Sequence, residues 1–369
     1  MGEGPGWIFL VVAISKERIM RAAVASGIKK PISVETVEDP KVGPNDALIK
    51  VHASGICRSD WHGWHGDLAW LGFGAEFPAI FGHEFGGEVA EVGANVQQFK
   101  AGQRVTAPFH NSCGQCKFCT AGRPNLCDNR FVYGFNGVRG GYAEYVLVPN
   151  ADANLIVLPD NVEATAAAAL GCRYMTGFHA VNRAAPRPGD WVAVHGAGGV
   201  GLSAIQVAAA VGARVIAVDI VDEKLEQAKA AGASAAVNSK DGNAAEAIQD
   251  ITGGGADMSL DALGIQATIT NSLTCLRPGG RHVQVGLTGA DEQGMAQVPI
   301  DLITALEIEL VGSFGNPRQD FAGLLALVAE GRLKPQELIE AECSLDDVEN
   351  TFNRMSDFGT KGFNIITKF

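Results

Sequence analysis

The chain has 369 residues, 47% of them apolar, which is enough to bury at least one full-sized core and excludes a disordered or fibrous protein. Its 29 Lys and Arg stand against 41 Asp and Glu, a formal charge of -12, which argues against a surface built to track nucleic acid or an anionic membrane. Glycine reaches 46 residues, about 12% against an ordinary ~7%, with no collagen-like period. No apolar run approaches the ~20 residues that span a bilayer. Trp7 to Ile14 form a short apolar stretch without a preceding basic region, so no signal peptide is expected. Residues 1–19 are expected to be an N-terminal extension.

From Met20 to about Leu158 short segments such as ALIKVHASGI, GGEVAEVG and YAEYVLVP alternate apolar and polar residues between Gly, Pro and Asn turns, the pattern of a loop-rich β domain. Within it Cys113, Cys116, Cys119 and Cys127 follow the spacing C-x2-C-x2-C-x7-C. Four thiolates close a tetrahedron around zinc and leave no position open, the structural kind of site. A [4Fe–4S] cluster is the competing reading of that spacing. Of the eight cysteines the other four are scattered, unlike a secreted disulfide scaffold. A cytoplasmic protein is therefore expected.

From about Ala164 apolar strand-like runs alternate with Ala-rich helical segments, which means βαβ units and a parallel sheet. The run VAVHGAGGVGL places Gly196, Gly198 and Gly201 as G-x-G-x-x-G, with Gly199 and Val200 inside it, directly between a strand and a helix. That context predicts a dinucleotide site whose phosphates lie at the helix N-terminus. Asp219 closes the next strand, 18 residues beyond Gly201. A carboxylate there accepts from a ribose 2'-hydroxyl and repels a 2'-phosphate, so NAD is expected rather than NADP. After about Val311 a helix-rich tail ends in the β-like GFNIITKF.

A second ligand set is spread along the chain: Cys57 in GICRSDWH, His83 and Glu84 in GHEFGGEV, and Cys172 in GCRYMTG. Together with the four-cysteine lobe and the glycine-rich turn, these motifs resemble, in order from Met20 to Phe369, the zinc-dependent alcohol dehydrogenases of the medium-chain dehydrogenase/reductase superfamily. The resemblance implies an α/β fold, a Rossmann doubly wound parallel sheet plus a GroES-like, mainly β catalytic domain. It implies a catalytic domain of residues 20–173 and 312–369, with its structural zinc lobe at about 110–130, around a Rossmann domain of residues 174–311. Cys57, His83 and Cys172 would hold a catalytic zinc, with the fourth place open for water or substrate. Asp60 would orient the zinc-bound His, and Glu84 would stand close enough to reach the metal. Ser59 and His62 would relay the alcohol proton. Arg58 would meet the cofactor pyrophosphate, Thr176 the nicotinamide and Lys224 the adenosine ribose. The cofactors implied are thus NAD and two zinc ions per chain.

Trp64, in a WHGD string similar to yeast-type members, Phe109 and Leu287 fall at family pocket positions and favour an apolar or aromatic alcohol, primary or secondary, interconverted with its aldehyde or ketone. Two departures stand out. The stretch from Cys57 to His83 is a few residues longer than the family pattern, and the C-terminal segment has no Arg where members direct one at the pyrophosphate, so that contact is either missing or taken over by Lys361. Between Cys127 and Tyr142 the chain lacks the insertion of the dimeric animal members, so the resemblance implies a homotetramer rather than a dimer. The alternatives are a polyol dehydrogenase of the same superfamily, against which Cys172 argues, and a non-catalytic NAD- and zinc-binding redox sensor.

Overall fold

The computed structural model describes residues 18–72, 74–289, 292–357 and 359–369. Residues 1–17 of the expected extension lie outside the described residues. The chain opens with β1 (Ile19–Ala25), β2 (Ile32–Glu38) and β3 (Ala47–Ile56), followed after the helix Arg58–His65 by β4 (Glu84–Val92), β5 (Arg104–Thr106), β6 (Tyr145–Val148) and β7 (Ile156–Val157). A helical run from Ala164 to Ala184, with a π-helical turn at Leu170–Tyr174, leads into β8 (Trp191–His195), β9 (Arg214–Asp219), β10 (Ala235–Asn238), β11 (Ala256–Asp261), β12 (Leu276–Gln284) and β13 (Glu309–Gly312). The chain closes with β14 (Ile339–Ser344), the helix Val348–Ser356 and β15 (Phe363–Lys368).

Strands β8 to β13 form one parallel sheet in the order β10-β9-β8-β11-β12-β13. Numbered within the sheet this is 3-2-1-4-5-6, the doubly wound order, with its switch point between β8 and β11. Ligands bind such sheets outside the carboxyl ends of the strands at that point. The expected glycine-rich turn stands there, between the end of β8 and the helix Gly199–Ala210.

The second sheet has the order β14-β15-β3-β4-β5-β7, with β6 also paired to β3. Its core strands alternate strictly where one face meets solvent: Lys50 and His52 of β3 are exposed while Ile49 and Val51 are buried. The tail returns to this sheet, because β15 pairs antiparallel with β3 and β14 lies parallel to β15. The tail is helix-rich as expected, with the helices Phe321–Ala329 and Val348–Ser356, and ends in β15; what the sequence did not show is its edge strand IEAECS, whose apolar positions are only partly buried, too weak a pattern to read.

Candidate active site

The metal cluster is set by one strand pair and one turn. Antiparallel register pairs Gly55 of β3 with Glu84 of β4, so the ends that carry Cys57 and His83 run side by side. Cys57 is also the N-cap of the helix Arg58–His65 in a capping box: its sulfur accepts from the Asp60 backbone N–H, and the Asp60 carboxylate accepts from Cys57 N at 3.2 Å. Cys172 arrives from the other side on the π-helical turn, which is pinned to the β domain by the Phe109 N–H donating to Gly171 O at 3.0 Å. Such turns widen a helix by one residue and recur at functional sites.

The result is a group of buried donors, Cys57, His83, Glu84 and Cys172, whose ligand atoms lie within 4.8 Å of one another. His83 donates Nδ1–H to Asp60 Oδ1 at 2.9 Å, leaving Nε2 buried without a partner. An orphaned ring nitrogen is costly unless something binds it. Two thiols and that nitrogen are the borderline-soft donors zinc prefers, so the residues fit a metal of this kind. Asp60 is saturated: besides Cys57 N and His83 it accepts from Gly82 N at 3.1 Å and the Tyr142 hydroxyl at 2.8 Å. Burial would pull His83 down, but the Asp60 carboxylate and Cys57 override it and hold its pKa well above the usual value. The hydrogen bond from Cys172 holds the Cys57 thiol well below the ordinary thiol range.

Glu84 is buried and makes a two-pronged pair with Arg173, Nε to Oε1 at 2.9 Å and Nη2 to Oε2 at 2.5 Å. Burial raises the Glu84 pKa to about 7 against the pull of Arg173. Ser59 Oγ lies 3.8 Å from Cys57 Sγ. His62 faces Asp67, Nδ1 to Oδ2 at 3.2 Å, and Asp67 also holds His65. Phe109 stands edge-on to the His83 ring at 6.0 Å between centroids, with Phe314 edge-on behind it at 5.5 Å. Phe135 flanks His83 at 6.1 Å.

Other predicted residues sit further out. The Trp64 indole donates to Lys30 O at 2.8 Å and its ring packs on Phe352. Leu287 is exposed on the loop after β12. The Arg58 guanidinium donates to Met355 O at 2.6 Å and lies over the Trp61 ring. Lys361 is exposed, its backbone N–H donating to Glu340. Reading the sequence missed Arg173, Tyr142, Phe135 and Phe314. Arg173 alone carried a signal, its place next to Cys172.

At the nucleotide side, Gly196 takes a φ of +94°, which turns the chain out of β8, and Gly198 caps the helix. A Cβ on Gly201 would stand 1.8 Å from Gly196 O, so the helix could not approach the strand with any other residue there. The Asp219 carboxylate accepts from Ala197 N at 2.8 Å and from the backbone N–H groups of Ile220 and Val221, tying the turn to the end of β9. Thr176 opens into the helix Met175–Ala184, and Lys224 lies in the helix Asp222–Ala230 after β9.

The four-cysteine lobe is held by a four-residue helix and a 3-10 turn. Its sulfurs are 3.6 Å (Cys116–Cys119), 3.8 Å (Cys116–Cys127) and 4.0 Å (Cys113–Cys119) apart. A zinc tetrahedron with ~2.3 Å bonds has edges of about 3.8 Å, so the four sulfurs already match one. Backbone N–H groups of Cys113, Cys116 and Asn129 point at the sulfurs. The Cys119 backbone N–H and its neighbours lower the Cys116 thiol to about 6.

Comparison with known proteins agrees in both halves. Residues 43–160 match the alcohol dehydrogenase GroES-like domain and residues 199–330 the zinc-binding dehydrogenase family. An alcohol dehydrogenase of Geobacillus stearothermophilus is 37% identical over 340 residues, 91% of this chain and 96% of that protein. An NAD-dependent alcohol dehydrogenase of Sulfurisphaera tokodaii is 36% identical over 343 residues, 90% of this chain and 97% of that one. The solved alcohol dehydrogenase TADH from Thermus sp. ATN1 superimposes with a TM-score of 0.88 at 33% identity, covering 94% of this chain and 99% of its own. Among the described residues, no helix is long and apolar enough to cross a membrane.

Proposed function

The chain belongs to the zinc-dependent alcohol dehydrogenases of the medium-chain dehydrogenase/reductase superfamily, and from that membership we propose that it oxidises an apolar or aromatic alcohol reversibly to the aldehyde or ketone, with NAD as hydride acceptor. The observation that carries this reading is the orphaned His83 Nε2 facing the Cys57 and Cys172 sulfurs. Those three residues would hold the catalytic zinc, and the lobe cysteines the structural one. When bound, the metal supplies Lewis acidity to the alcohol oxygen and the nicotinamide supplies a hydride acceptor.

The protein's own part is positioning and proton transfer. Asp60 fixes the His83 ring so that Nε2 points into the cluster. Ser59, beside Cys57, takes the alcohol proton, and His62 passes it to solvent. Ser59 contacts Cys57 and His62 contacts Asp67, with no direct hydrogen bond between the two among the described residues; the resemblance implies that the ribose of a bound cofactor would supply the hydroxyls between them. Phe109, Phe135 and Phe314 give the metal's neighbourhood an aromatic wall that excludes water and suits an apolar substrate. Gly196 to Gly201 and the helix behind them seat the pyrophosphate, with Thr176 beside the nicotinamide. Asp219 accepts from the adenosine ribose, assisted by Lys224.

The division into residues 20–173 with 312–369 and 174–311, a homotetrameric assembly and a cytoplasmic setting belong to the same proposal; the eight free cysteines support the last. The test is a panel of aliphatic, benzylic and secondary alcohols assayed for NADH formation with and without a zinc chelator. Turnover of apolar alcohols that the chelator abolishes is the expected result; absence of turnover across the panel refutes the reading. Replacing Asp219 with Gly should erode the preference for NAD over NADP, and an unaltered preference removes Asp219 from that role.

A further inference from the structure

A buried ion pair repays its desolvation only with excellent geometry, and is therefore weak evidence of a purely stabilising role. Arg173 and Glu84 form such a pair where each adjoins a proposed metal ligand, Glu84 following His83 and Arg173 following Cys172. Besides the two guanidinium contacts, the Arg173 backbone N–H donates to Glu84 Oε1 at 3.3 Å. The pair is thus held at three points.

The other flank of Arg173 meets the nucleotide half. A Cβ built on Gly199 would lie 2.7 Å from Arg173 Cδ, so the Arg stem runs hard against the first residue of the helix Gly199–Ala210. That is the end where free backbone N–H groups and the helix dipole favour an anion. From a third side the Phe363 ring of β15 backs the guanidinium, whose central carbon sits 3.8 Å from the ring centroid. One side chain therefore spans the distance between the carboxylate of the metal cluster and the glycine-rich turn.

Local charge points the same way. Cys57, Cys172, Asp60 and Glu84 bring up to four negative groups to the cluster, and a dinucleotide pyrophosphate would bring two more. Arg173 is a buried cation placed between them. We propose that Arg173 is a positioning residue that joins the two halves of the active site, holding the Glu84 carboxylate out of the metal's ligand sphere and presenting its positive charge at the first turn of Gly199–Ala210 to the cofactor pyrophosphate. This rests on the reading of that helix as the NAD site.

The test compares Arg173→Met, Glu84→Gln and the double variant in the full-length, zinc-loaded protein. NADH affinity is read by fluorescence titration, zinc per chain by elemental analysis, and the ligand sphere by the visible spectrum after cobalt substitution. Arg173→Met should weaken NADH binding about tenfold or more, the scale of a lost charge-assisted contact, with two zinc ions retained. The double variant should stay as weak as Arg173→Met. Recovery of NADH affinity in the double variant would mean that Arg173 only neutralises a buried carboxylate, which overturns the proposal; so would unchanged affinity in Arg173→Met. The cobalt spectrum should shift in Arg173→Met, as Glu84 enters the ligand sphere, and return in the double variant; no shift overturns the positioning of Glu84. If Arg173→Met does not fold, Arg173→Lys keeps the charge without the fork and should still weaken NADH binding and shift the spectrum, with the same contrary outcomes. Failure of the unaltered protein to bind NADH would instead refute the cofactor reading itself.

Discussion

The two cysteine clusters use the same element in opposite surroundings. The lobe site is made of local chain, four sulfurs within fifteen residues, partly exposed except for Cys127, and tuned by its own backbone N–H groups. The Cys57–His83–Cys172 cluster is made of distant chain, wholly buried, and tuned by side chains: Asp60, Tyr142, Glu84 and Arg173. In the lobe the metal would replace a core that short loops cannot build. In the cluster the core already exists, so the metal adds chemistry rather than stability.

That contrast predicts opposite phenotypes. The largest effect is expected from Cys172→Ala, which should leave one zinc per chain, lower alcohol oxidation by about 10³-fold or more, and shift the melting temperature little. Two retained zinc ions would sink the assignment of Cys172. Next comes Cys127→Ala, which removes the buried sulfur of the lobe and should cost on the order of several kcal/mol of stability, with zinc at the other cluster kept. Melting curves with zinc analysis decide it: a lobe variant that melts like the parent would erase the distinction between the sites.

A smaller effect tests how the buried cluster is tuned. Asp60→Asn keeps the shape but weakens the acceptor for His83, and should reduce zinc affinity at that site about 10- to 100-fold without touching the lobe. Competition with a chelator of known affinity measures this directly, and equal loss at both sites would contradict it.

How much of this could be read from the chain follows the same contrast. The lobe was legible because its four ligands are neighbours in sequence, and the nucleotide turn because one strand, one turn and one helix carry it. The buried cluster was legible only as a set of ordered motifs, since the β3–β4 register and the π-helical turn that unite Cys57, His83 and Cys172 are tertiary facts. Tyr142 shows why its support was not legible: nothing around it in the loop sequence GGYAEY marks a hydroxyl that reaches Asp60, eighty-two residues away. Arg173 lies beside a ligand, yet its pairing with Glu84 depends on two elements meeting.

The smallest effect concerns the join between the two regions. His110 follows Phe109 of the aromatic wall and precedes the lobe, stacks on Phe314 and is fully buried, with neither ring nitrogen hydrogen-bonded among the described residues. Burial lowers its pKa to about 4 from an ordinary 6.5. The sign follows from proton counting. Between pH 6.5 and about 4 the unfolded chain holds a proton on this ring that the folded chain does not, so stability is complete above 6.5 and falls as the solution is acidified through that window. One such group adds a slope of up to ~1.4 kcal/mol per pH unit. His179, lowered to about 4 chiefly by burial, and His195, lowered to about 3 by burial, act in the same direction. His110→Phe should therefore flatten the acid limb of a denaturation-against-pH series relative to the parent, by about one proton's slope. An acid limb of equal steepness in the two proteins would show that His110 is not held neutral, and that the join between lobe and cleft is wetter than its packing implies.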